Sequence, residues 1–195
     1  RISIRNIELK NSYDEVSVII PGKTLIEISK ILNGGMDDDV NIYFTDKHAL
    51  FEFENTIVLS RLIEGEYYKI DKMLSSDYET KLTVNKKEML DCIDRTTLLI
   101  KESDKKPVII DIKDDSMGFN MNSSIGSMNE EIDIQKQGKD LMIGFNPKFL
   151  IDALRVIDDE EVDLYMVNPK APCFIKNMEE SYIYLILPVN FTTVA

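Results

Sequence analysis

The sequence predicts an α+β protein assembled from a repeated unit of one strand, one amphipathic helix and three further strands. Helices are expected on one face and antiparallel sheets on the other. Three observations carry this. A ten-residue pattern occurs three times, beginning at Lys23, Lys87 and Lys148, with two apolar residues at its third and fourth positions and an acid at its fifth. The copies start about 60 residues apart, and a period of that size marks a repeated structural unit. Finally, each copy is followed by short runs rich in Val, Ile, Tyr and Phe between turn residues, the pattern of a meander.

The elements follow in order. Arg1 to Leu9 is apolar-rich and extended, and Asn11-Ser12-Tyr13-Asp14 reads as a loop. Val16 to Ile20 reads as a strand ended by Pro21. Gly22 opens the first helix, which Asn33-Gly34-Gly35 ends, because Gly takes the left-handed C-terminal position without strain. Strands are expected at Val40–Phe44, Ala49–Phe53 and Thr56–Ile63, with the only histidine, His48, in a turn. A stretch from Glu64 to Asp77 shows no alternation and reads as a linker, dividing the chain into 1–70 and 71–195. The order then restarts with a strand at Lys81–Val84, and Asn85 caps the second helix. Strands follow at Val108–Ile112, Ser116–Met121 and Met128–Ile134, with a turn at Gln137-Gly138-Lys139. Asp140–Phe145 begins the last unit, and Asn146-Pro147 opens the third helix, Pro favouring the first turn. Val162–Met166, Pro172–Ile175 and Tyr182–Leu187 close it. The last two units can pack as one pseudo-twofold domain, whereas the first has no sister in this sequence.

Composition narrows the function classes. A 195-residue chain with 44% hydrophobic and 30% charged residues belongs with ordinary soluble globular proteins. Runs such as Ile183–Leu187 are far too short to span a bilayer. Two cysteines, Cys92 in a helix and Cys173 in a strand, make no disulfide framework, and a cytoplasmic setting is expected. The net charge of −12 argues against indiscriminate nucleic-acid binding, although a local basic stripe is compatible with it. Enzymatic signals are thin. One histidine supports neither a multi-histidine metal site nor a Ser-His-Asp triad, and the glycines form no phosphate-cradling loop. The acid clusters Asp37-Asp38-Asp39 and Asp111, Asp114, Asp115 lack the spacing and mid-loop Gly of a calcium loop. No catalytic residue, metal or cofactor is expected.

Two features remain. Lys148, Asp152 and Arg155 share a helix face, as do Lys23, Glu27 and Lys30, and Lys87, Asp91 and Arg95. Singly, each set reads as a solvated face with ion pairs worth roughly 0.2–0.5 kcal/mol. Recurrence on three helices of an acidic chain argues for more than that, a basic stripe. The second feature is the C-terminal Tyr184–Phe191, either a buried strand with a tail or a segment whose apolar residues around Pro188 line a surface groove.

The chain resembles the bacterial DNA polymerase III beta subunit, the replication sliding clamp, along its whole length. The resemblance rests on Ser17-Val18-Ile19-Ile20-Pro21, Asn33-Gly34-Gly35, Leu62-Ile63-Glu64-Gly65, Gly144-Phe145-Asn146 and Tyr184-Leu185-Ile186-Leu187-Pro188-Val189, in the same order and spacing. It implies the DNA-clamp fold, with residues 1–70 as the second half of a middle domain and 71–195 as the complete C-terminal domain. The implied function is a non-enzymatic processivity factor, whose full-length protomers close head-to-tail as a homodimer around duplex DNA, with a clamp loader and DNA polymerase III among its partners. This fragment alone is not expected to encircle DNA. Sequence-independent phosphate contact would fall to Lys23, Lys30, Lys86, Lys87, Arg95, Lys148 and Arg155. Short peptides of clamp-binding proteins would enter a groove made of Arg1, Ile2, Tyr68, Lys72, Met73, Asn146, Phe149, Lys170, Pro172, Leu185, Ile186, Leu187, Pro188 and Val189. Ring closure would use Leu98 and Leu99. The sequence departs from the family at Tyr68, where Pro is usual, at Asn190, where a basic residue is usual, and in a longer tail. The alternative is a clamp-fold adaptor or structural module without a DNA role.

Overall fold

Turn chemistry and apolar alternation set the elements of the computed structural model, which describes residues 1–32, 39–70, 74, 77–99 and 106–191. The chain forms two compact units, one of residues 9–74 and one of residues 1–8 with 75–195. No helix among the described residues is long and apolar enough to cross a membrane.

The smaller unit holds helix α1 (Gly22–Ile31) and an antiparallel meander of β2 (Asn41–Phe44), β3 (His48–Phe53) and β4 (Thr56–Arg61). Its core is small: Ile28 of α1 packs with Ala49, Phe51 and Phe53, the alternate residues of β3. The N-terminus of α1 has no side-chain cap, because Pro21 precedes it; the Pro21 carbonyl instead accepts from the Thr24 amide at 2.9 Å. Two expectations are corrected here. Val16–Ile20 is extended in sequence pattern but forms no strand among the described residues, where one backbone bond, from the Ile63 amide to the Ile19 carbonyl at 2.9 Å, touches it. His48 begins β3 rather than lying in the turn. The expected helix stop at Asn33-Gly34-Gly35 lies outside the described residues.

The larger unit contains two complete repeats. β5 (Thr80–Asn85), α2 (Lys86–Thr97), β6 (Val108–Lys113), β7 (Ser116–Ser123) and β8 (Gly126–Gly138) form one. β9 (Leu141–Phe145), α3 (Pro147–Leu154), β10 (Glu161–Met166), β11 (Cys173–Lys176) and β12 (Tyr182–Ile186) form the other. Asparagine caps both helices: Asn85 Oδ1 accepts from the Glu88 amide and Asn146 Oδ1 from the Lys148 amide, each at 3.0 Å. Each cap satisfies an amide that the helix itself leaves orphaned. The strands of this unit join one antiparallel sheet in the order β1-β12-β11-β10-β5-β8-β7-β6-β9, with β1 (Ile2–Arg5) added at the edge beside β12. The repeats interlock reciprocally. The strand before each helix pairs with the strand after the other helix, β5 with β10 and β9 with β6.

β8 is longer than the alternation of Met128–Ile134 suggests. Its first part pairs with β7 and its last five residues, Ile134 to Gly138, pair with β5. Gly138 ends it at φ +108°, with the Glu79 carbonyl oxygen occupying the place where a Cβ would stand. No other residue fits there. Under the sheet, Leu82, Met89, Ile93, Phe119, Ile143, Leu150, Leu154 and Leu164 form a continuous core with α2 and α3. Leu154 ends α3, earlier than the pattern predicts, yet Ile157 remains buried beyond it.

Candidate nucleic-acid and peptide interfaces

On the adjacent helices α2 and α3, the basic residues divide into two groups. Arg95 pairs with Glu130 of β8, its Nε donating to Oε1 at 2.7 Å, and its own charge is stabilised by that carboxylate. The same Arg95 holds Glu130 below the usual carboxylate range. Arg155, the residue that follows α3, reaches both oxygens of Asp94 on α2 at 3.2 and 3.3 Å. Lys86 is half-buried and donates to the Ile157 carbonyl at 2.6 Å. These contacts tie α2 to the sheet and to the end of α3. Lys87 and Lys148 are exposed and make no ion pair with a described residue. In the smaller unit, Lys30 pairs with Glu27 at 2.9 Å while exposed Lys23 has no such partner among the described residues.

The residues expected to line a peptide groove are also unevenly placed. Arg1 stacks its guanidinium 4.4 Å above the Phe149 ring, pairs with Asp152 of α3, and lies 3.5 Å from the Tyr184 hydroxyl. That packing brings β1 to α3, with Ile2 opposite Leu185. Asn146 is committed as the α3 cap. Leu185 and Ile186 are buried in β12, whereas Leu187 is 57% exposed, Pro188 half-buried and Val189 exposed. Phe149 and Pro172 are half-buried, and Lys170 is exposed on the loop before β11. Of the expected groove residues in the larger unit, the apolar ones left accessible are Ile2, Phe149, Pro172, Leu187, Pro188 and Val189. Tyr68 is exposed in the smaller unit, and Lys72 and Met73 lie outside the described residues. Of the pair expected at a ring joint, Leu98 is 76% exposed at the end of α2, while Leu99 packs against the core.

Both thiols are buried. Burial pushes Cys92 up to about 11, with neighbouring Glu130 adding to it, and pushes Cys173 up to about 12. Among the described residues no group of three His, Cys, Asp or Glu side chains is placed to hold a metal ion. Sequence reasoning did not find the network around Asp163 on the opposite face of β10. Lys81 Nζ and Thr83 Oγ1 donate to this buried carboxylate at 2.8 and 2.6 Å, and Tyr165 Oη donates at 3.0 Å. It read Gly144 only as part of a family motif, although a glycine inside an apolar strand signals a close approach by another segment.

Residues 71–190 match the family model for the C-terminal domain of the DNA polymerase III beta subunit, and residues 1–69 match that for its central domain. The beta sliding clamp of Staphylococcus aureus is 33% identical over 193 residues, 97% of this chain and 51% of that protein. A crystal structure from Eubacterium rectale, of a protein assigned as a DNA polymerase III beta subunit, is 70% identical with a TM-score of 0.95, covering 98% of this chain and 52% of that one. The Bacillus subtilis sliding clamp is 34% identical with a TM-score of 0.90, over 97% of this chain and 51% of its own. The chain thus spans about half the length of the relatives it matches.

Proposed function

The chain belongs to the DNA polymerase III beta subunit family, and from that premise we propose that it forms part of a sliding clamp that tethers DNA polymerase III to duplex DNA. The domain division is kept at 1–70 and 71–195, supported by the separate matches to the central and C-terminal domains. In this reading Lys87 and Lys148, with Lys23 of the smaller unit, make the main phosphate contacts, and Lys30, Lys86, Arg95 and Arg155 contribute less because each already has a partner. The carrying observation is that Lys87 and Lys148 are exposed on neighbouring helices, without an ion pair among the described residues, within a chain of net charge −12. The whole clamp would close head-to-tail as a homodimer, with Leu98 at the joint, and would be opened by a clamp loader. Peptides of polymerase III and other clamp-binding proteins would dock against Phe149, Pro172 and Leu187–Val189.

A second reading, a clamp-fold adaptor without a DNA role, draws support from the carboxylates that occupy Arg95, Arg155 and Lys30. Anisotropy of a labelled duplex at graded salt separates the two. The clamp reading expects a dissociation constant of roughly 10⁻⁴–10⁻⁶ M, equal for scrambled sequences. Replacing Lys87 and Lys148 together by Ala is then expected to lower the salt slope by about 2. An unchanged slope, or no binding of the duplex, favours the adaptor, and a preference among sequences overturns both readings.

A further inference from the structure

The segment after β12 does not trail into solvent. The Val189 amide donates to the Gly144 carbonyl of β9 at 2.8 Å. If Gly144 carried a Cβ, that atom would stand 2.7 Å from Phe191 Cδ1 and 3.0 Å from the Val189 carbonyl oxygen. Gly144 has no positive φ, so its backbone conformation does not demand glycine. The demand comes from the ring and the backbone lying over it. Phe191 is half-buried there, although Leu187, Val189 and Asn190 around it are exposed.

The internal symmetry of the unit says what this contact is. In the first repeat the last strand returns to the first, β8 pairing with β5 over Ile134 to Gly138. In the second repeat β12 is the last strand and β9 the first, and the segment after β12 makes the corresponding return. Among the described residues it does so with one backbone hydrogen bond and one ring. Pro188 shortens the ladder by removing a donor. A five-residue pairing is thus replaced by a point attachment, and everything between Ile186 and that point is held from its two ends.

We propose that Gly144 and Phe191 form a clasp that fixes Leu187, Pro188 and Val189 as the wall of the peptide-binding surface. The proposal rests on the peptide-docking reading above. Phe191 and Gly144 are positioning residues: the side chains offered to a peptide are Leu187 and Val189, and the clasp removes conformations that would otherwise be lost on binding. Preorganisation of this kind changes affinity without adding a contact. Occupancy of the Gly144 seat by Phe191 is specific to its shape, so a ring is required and a methyl is not enough.

The test uses the full chain, a fluorescein-labelled hexapeptide carrying Leu and Phe anchors, and hydrogen exchange at the Val189 amide. Phe191→Ala is expected to weaken the peptide about tenfold and to speed exchange at Val189, leaving core amides of β5 and β10 unchanged. Phe191→Tyr keeps both properties, because the ring is retained. Gly144→Ala reproduces the loss, and the double variant Gly144→Ala with Phe191→Ala is no worse than either single change. Unaltered affinity and exchange in Phe191→Ala would overturn the clasp, even where removal of Leu187 to Ala195 abolishes binding. If the parent chain fails to bind any such peptide, the docking reading falls, and exchange at Val189 alone then decides whether the clasp exists.

Discussion

The helix that begins near Lys23 and the one that begins near Lys148 carry almost the same pattern and meet different surroundings. Leu150 is 0% exposed, while Leu25 at the same place in the pattern is 46% exposed. Ile151 is buried and Ile26 exposed; Ile157 is buried and Leu32 exposed. The strands repeat the contrast. Val162, Leu164 and Met166 of β10 are fully buried, whereas the corresponding Val40, Ile42 and Phe44 are all exposed. The difference lies in the sister repeat. In the larger unit α3 lies beside α2, and the strands before and after the helices pair reciprocally. In the smaller unit one repeat stands without a sister among the described residues, so Val16–Ile20 and the outer edge of β2 have no ladder. An amphipathic pattern selects which face will be covered; it does not supply the cover.

Hydrogen exchange gives the largest contrast. Amides within Val16–Ile20 are expected to exchange with little protection, while those of Leu82, Thr83 and Val84 in the central strand β5 exchange only through global opening. The ratio is expected to exceed about a thousandfold, since local opening costs near zero and global opening several kcal/mol. Equal protection would break the comparison. It would indicate that a second copy of the chain covers the edge, and light scattering on the 22.4 kDa chain would then report a dimer.

Truncation of matched leucines is the next step down. Leu150→Ala removes a fully buried side chain from a closed core and is expected to cost about 2–5 kcal/mol. Leu25→Ala changes a half-exposed side chain whose neighbours are already open to water and should cost less than about 1 kcal/mol. Urea unfolding followed at both units measures the pair. Equal losses would mean that α1 is packed as tightly as α3.

The repeat was legible because helical periodicity and capping are local. Asn85, Asn146 and Pro147 announce two helix starts from the residues immediately around them, and both starts are where the pattern puts them. Pairing is not local, and there the reading failed in identifiable ways. Val16–Ile20 alternates like a strand, but strand formation needs a partner that periodicity cannot reveal. β8 was cut short because Gln135, Lys136 and Gln137 interrupt the apolar pattern, although their backbones continue the ladder to β5. The basic stripe was readable as a set of residues, but its neutralisation was not. Glu130 lies 35 positions from Arg95, and Asp94 meets Arg155 only through the packing of α2 on α3. The Gly144–Phe191 contact joins β9 to the far end of the described chain, and its local trace is a glycine inside an apolar strand.

The two units also differ in how they treat a tyrosine on the outer face, and this gives the smallest expected effect. Tyr165 on β10 and Tyr43 on β2 occupy the same place in the repeat. Tyr165 donates to buried Asp163, beside Lys81 and Thr83, whereas exposed Tyr43 reaches Glu52 at 3.3 Å. Burial works against ionisation of Asp163, yet the hydrogen bonds from Lys81, Thr83 and Tyr165 outweigh it and hold the carboxyl below its usual range. A depressed folded-state value means that the contribution to stability is complete above the unfolded-state value near ~3.9 and disappears as pH falls through the folded one. Asp163→Asn is therefore expected to cost about 1–3 kcal/mol at neutral pH, and the gap from the parent should begin to narrow below about pH 4. Tyr165→Phe should cost about 1 kcal/mol and Tyr43→Phe less than about 0.5 kcal/mol. Thermal melts at neutral pH and at about pH 3 read all three variants. A constant gap for Asp163→Asn across that range would show that shape alone, and not the ionised carboxylate, holds β5 to β10 on this face.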